Sequence, residues 1–147
     1  MPHSQPQPSL DASTAERVPG PETDWAARFT DAVRVEAVAV RQLRELAERQ
    51  GGFVADGRID LTRSLLAHRW TLIDRIRESE RQIREAEAHG TRVDDLPDAV
   101  AEELRGLQAA IRKDLGVVRE RDAADSAVLQ QRRDEAAAEL ARAFALT

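Results

Sequence analysis

The residues able to do chemistry in this chain are few and scattered. Three histidines are present, at positions 3, 68 and 89. None has a second ligand at the helical spacing a metal ion needs, since Leu65 and Leu72 flank His68 at three and four residues. His89 stands beside Gly90, a position that suits a helix end, where a positive charge meets the negative end of the helix dipole. Ser64 and Ser79 have no base near them and no glycine-flanked elbow, so neither reads as a nucleophile. Gly51-Gly52 is not followed by the Lys-Ser/Thr of a phosphate cradle. Two carboxylate pairs remain, Asp94-Asp95 and Asp122…Asp125. The first reads as a helix-start feature. Paired acids of the second kind can act as acid and base only in a cleft-forming fold, which this composition disfavours. The expectation is a protein that makes and breaks no bonds and carries no metal or cofactor.

The composition points to elements rather than to a reaction centre. The 147 residues are 41% hydrophobic, 33% charged and 3% aromatic, with no cysteine, no tyrosine and a formal charge of −5. Much Ala, Leu, Arg and Glu with few aromatics fits long amphipathic helices around a thin core. It argues against a sandwich, a barrel or a nucleotide-binding α/β enzyme. The absence of cysteine removes disulfides and thiolate zinc sites together. Mild acidity and basic residues interleaved with acids argue against a nucleic-acid partner, as does the want of aromatic stacking platforms. No apolar run approaches the roughly 18 residues of a membrane span. Met1 to Pro6 has neither a basic nor an apolar leader pattern, so the expected location is the cytoplasm.

Residues 1–22 hold five of the six prolines with Ser, Gln and Thr, and read as a disordered tail. Residues 23–147 read as one helical domain, with helices over about 24–52, 60–89 and 98–145. Thr23 is the expected N-cap of the first. Trp25, Phe29, Val33, Val40, Leu43 and Leu46 form its stripe, with Glu36 filling the gap. The first helix is expected to run out by Gly51-Gly52 or a turn later at Val54, and Ala55 to Ile59 loses the period and contains Gly57, which marks a loop. Asp60 is the expected cap of the second helix. Its buried side reads Leu61, Leu65, Leu66, Leu72, Ile73, Ile76 and Ile83, broadened by Trp70 and interrupted by Arg69, for which Glu45 is the expected partner. Gly90 ends it, and Pro97 suits the start of the third. From Val100 the third stripe reads Leu104, Leu107, Ile111, Leu115 and Val118. It continues through Asp122 and Asp125 to Leu129, Ala136, Leu140 and Phe144. Gly116 alone costs only about 1 kcal/mol in a helix interior, so one continuous helix is expected.

The fold class that follows is all-α: an antiparallel helical hairpin plus one long C-terminal helix, a three-helix, coiled-coil-like bundle. At about 1.5 Å per residue the first two helices span roughly 40 Å and the third roughly 70 Å. Either the last two dozen residues project as an arm, or the chain bends near Asp122 and packs back. If it projects, Leu129, Leu140 and Phe144 need another chain. Asp122 and Asp125 then mark either a solvated boundary or the register for a basic partner residue.

This layout resembles the FlgN-type flagellar export chaperones. The residues that carry the likeness are Val33, Glu36, Val40, Leu43, Leu46 and Gln50, then Asp60-Leu61 and the run Leu65-Leu66-Ala67-His68-Arg69-Trp70-Thr71-Leu72-Ile73-Asp74-Arg75-Ile76. The stretch Asp122-Ala123-Ala124-Asp125-Ser126-Ala127-Val128-Leu129 is similar to the family's "N..N..LL" run, with Asp at both Asn places. The likeness covers about residues 25–145. It implies a cytosolic chaperone that binds C-terminal helical segments of hook-filament junction proteins and brings them to the export apparatus. The client-facing positions it implies run from Asp122 to Phe144. With the residue reading, the partner-binding set is Asp122, Asp125, Leu129, Arg132, Arg133, Ala136, Leu140 and Phe144, with Arg132, Arg133 and Arg142 at the rim. The rival expectation is a structural coiled-coil module whose stripe pairs with its own copy as a homo-oligomer.

Overall fold

A computed structural model describes residues 23–146. The chain forms three helices, α1 (Trp25–Ala55), α2 (Ile59–Ala88) and α3 (Asp98–Ala145), with one 3-10 turn at Val93–Asp95 before α3. The expected disordered tail, 1–22, lies outside the described residues. Among the described residues no helix is long and apolar enough to cross a membrane.

The helix ends differ in detail from the sequence expectations. Asp24, not Thr23, is the N-cap of α1, and its carboxylate accepts the Ala27 N–H at 3.0 Å. Gly51-Gly52 lies inside α1, which runs on until Gly57 turns the chain at φ +71°. That left-handed backbone is open to glycine at little cost. Asp60 is not the cap of α2; it sits in the first turn behind Arg58, where its charge still suits the dipole. Gly90, at φ +96°, ends α2. α3 is continuous through Gly116.

Packing is arranged around α1. The α1 contacts run from Arg34–Glu103 through Arg44–Asp114 to Gln50–Asp125, so α3 lies parallel to it and α2 antiparallel. The buried residues Leu65, Leu72, Ser79 and Ala86 of α2 recur every seven residues, as do Leu104, Ile111, Val118 and Asp125 of α3. A period of seven keeps each seam on α1 in the manner of a coiled coil. Val33, Val40, Leu72 and Leu104 are the largest fully enclosed side chains. One cluster joins Leu43, Leu46, Leu72, Ile76, Ile111 and Val118, and a second joins Phe29, Val33, Leu96 and Leu104 near the α2–α3 connection. Trp25 closes that end by stacking on His89, with ring centroids 3.9 Å apart.

The third side of the triangle is missing. α1 touches both neighbours, but Cα atoms of α2 and α3 nowhere come within 8 Å of each other. A groove floored by α1 therefore runs between them. This corrects the reading of the broad face of α2. Leu66 and Trp70 are not buried; they stay 40% and 58% exposed because α3 does not close over them.

Candidate partner-binding surface

The seam of α3 explains where the bundle stops. Leu104, Ile111 and Val118 face α1, and the next seam positions are Asp125, Arg132 and Glu139. Apolar burial ends where those polar residues begin. A polar clasp marks the place. Arg69 of α2 donates two hydrogen bonds to the Asp122 carboxylate, at 2.8 and 2.9 Å, and one to the Gln50 side-chain oxygen at 2.6 Å. Gln50 in turn points its amide at Asp125, 3.4 Å away. Three helices are thus tied by one guanidinium, whose planar fork matches a carboxylate better than a lysine would.

Asp125 is only 8% exposed. Burial, and then the neighbouring Asp122 charge, raise its pKa above the usual aspartate value, while Arg69 and Arg121 oppose that rise. Asp125 is not the solvated interruption expected from sequence, and Asp122, though partly solvated, is held by an ion pair within the chain. The basic group that meets them is the chain's own Arg69. Glu45 is not the partner of Arg69; it is exposed on the α1–α3 side. Arg132 is corrected in the same way. Its guanidinium donates to the carbonyls of Val54 and Ala55, satisfying the end of α1 rather than waiting at a rim.

Beyond the clasp the helix projects from the bundle. From Ser126 to Leu146 every residue is exposed. Leu129 is 49% exposed, Leu140 60% and Phe144 75%. Ala136 and Arg133 lie on the same open stretch. At about 100° per residue, Leu129, Ala136 and Leu140 fall within about 40° of one another, with Phe144 beside them. Gln130 to Asp134 and Gln131 to Glu135 bond at i,i+4 along the arm, and its alanines favour helix. So the structure brings Asp122, Asp125 and Arg132 into the bundle, and leaves Leu129, Arg133, Ala136, Leu140 and Phe144 on a projecting arm.

Leu129 belongs to both regions. It lines the hollow of about 310 Å³ between α2 and α3, together with Leu66, Trp70, Ile73 and the clasp. The groove was not foreseen, because nothing in a single helix's stripe says which pair of neighbours will fail to meet. Further along, Glu36 lies on the groove floor at 7% exposure. Burial, reinforced by the Glu80 charge, lifts its pKa to about 7. Among the described residues no group of three or more acids and histidines is placed to hold a metal ion.

No family model, no curated protein and no solved structure matches this chain.

Proposed function

We propose that the chain is a helix-binding protein that makes and breaks no bonds, and that the projecting part of α3 holds a partner's amphipathic helix. The likeness to FlgN-type chaperones names the partner: the C-terminal helical segments of flagellar hook-filament junction proteins, kept from assembling until they reach the export apparatus in the cytoplasm. One observation carries the reading. Leu129, Ala136, Leu140 and Phe144 form an exposed apolar stripe on a helix that outruns its own bundle, the form that helix-in-groove recognition uses.

Its test compares the full chain with one truncated after Arg133. That cut keeps the Arg69–Asp122 clasp and the Arg132 cap in place, so the bundle should stay folded. In pull-downs from the native cell, the full chain should recover junction proteins and the truncated one should not. Equal recovery by both would remove the arm from the binding site. A tight homodimer of the isolated full chain, with the arm as its contact, would favour the coiled-coil rival.

A further inference from the structure

The groove between α2 and α3 has the shape of a bundle lacking its fourth helix, and its rims share one charge. On α2, Arg77 and Arg84 stand seven residues apart, with Trp70 seven before them. On α3, Arg112 and Arg119 directly follow the buried Ile111 and Val118, which turns both toward the α2 side. Arg84 and Arg112 line the same hollow of about 340 Å³ from opposite walls. Among the described residues, Arg77, Arg112 and Arg119 have no carboxylate partner, and Arg84 has Glu80 alone, at 4.0 Å. On the α1–α3 side, Arg34 grips Glu103 and Arg44 grips Asp114 and Glu48, while Arg41 in the same hollow has no carboxylate partner among the described residues.

We infer that this groove seats an amphipathic helix with acidic flanks, supplied by a different protein, and that the arm continues the same seat. This rests on the reading that the chain holds a partner helix, and names the chemistry of that helix. The α2 wall supplies apolar contacts at Leu66, Trp70, Ile73 and Ile83, while the rims supply the guanidinium groups of Arg77, Arg84, Arg112 and Arg119. A phosphate backbone would leave that apolar wall unused. A second copy of the arm fits less well. Residues 126–146 carry three arginines and three acids, a balance that offers nothing to two arginine rims. At one end Glu36 on the floor and Glu80 on the α2 wall line the same hollow as Arg84 and Arg112. There the bound helix must present an apolar or donor residue, which fixes its direction. From Arg112 to Leu140 along α3 the seat joins groove to arm through Leu129, long enough for about 28 helical residues, or ~42 Å.

The test uses the full chain and two synthetic helices of about 28 residues, ~42 Å long, with leucine on one stripe and either glutamate or glutamine flanking it. Fluorescence anisotropy should show the glutamate helix binding at least about tenfold more tightly at low salt. That advantage should vanish at high salt and in Arg77→Gln/Arg112→Gln/Arg119→Gln, whose exposed changes leave the circular dichroism of the fold intact. Equal affinity of the two helices, or an advantage that survives the triple substitution, overturns the inference. So does a single-stranded oligonucleotide that binds more tightly than the glutamate helix, or a dimer that the triple substitution dissolves. Truncation after Arg133 separates the two ideas. If it weakens both helices and keeps their ratio, groove and arm both stand. If it changes neither affinity, the arm reading fails and the groove stands. If the ratio is absent while truncation still weakens binding, the groove chemistry fails and the arm stands.

Discussion

Two halves of one helix live under different rules in this molecule. Residues 98–125 of α3 are held on α1 by Leu104, Ile111 and Val118 and by the ion pairs of Glu103 and Asp114. Residues 126–145 keep the same helical backbone with every side chain exposed. The first half is helical because tertiary packing makes it so; the second relies on alanine-rich propensity and local bonds. Isolated helices of about that length are marginal in water. A chain that retains such a stretch with leucine and phenylalanine on one face gains no fold stability from them, and what that face offers is contact with something else.

The sharpest break in the comparison should come from removing the same kind of side chain on each side of it. Leu104→Ala empties a site with no exposure and should cost about 2–5 kcal/mol in urea unfolding. Leu140→Ala, at 60% exposure, should change stability by less than about 0.5 kcal/mol. A large loss at Leu140 would mean that the arm is covered.

Next in size is Glu36. Its folded pKa, about 7, lies above the ordinary glutamate value. The native state therefore holds a proton that the unfolded chain has released, and stability falls as pH rises from about 4.5 to 7. Glu36→Gln should remove that slope. The variant should match the parent near pH 4 and exceed it by about 3 kcal/mol at pH 8, read from denaturation curves at the two pH values.

A smaller effect is expected at the boundary itself. Arg69→Ala leaves Asp122 unpaired, and the carboxylate is partly solvated, so the cost should be about 1–2 kcal/mol. Its second consequence separates the halves further: exchange of amides around Asp125 should rise toward that of the arm.

Much of this architecture was legible in the residues. Periodicity and the positions of Gly57, Gly90 and Pro97 placed three helices, and helix length alone exposed the mismatch between α3 and the hairpin. What periodicity could not say was who faces whom. Arg69 finds Asp122 rather than Glu45 because a long side chain reaches across the groove to α3, a geometry set by how the helices assemble. Trp70 and Leu66 read as core because a broad apolar face ordinarily earns two neighbours. Here one neighbour stops short, and the groove that results appears in no single stripe. Arg132 was legible as a charge and illegible as a cap, since the carbonyls it meets belong to a helix 77 residues earlier.

The claim at the centre is that the end of α3 lies uncovered until a partner arrives. Hydrogen–deuterium exchange on the full chain, resolved to peptides and repeated over a wide range of protein concentration, tests it most directly. Amides of 134–145 should exchange at least about 100-fold faster than those around Leu104 to Val118, with no dependence on concentration. Protection of 134–145 equal to that of the bundle would contradict it.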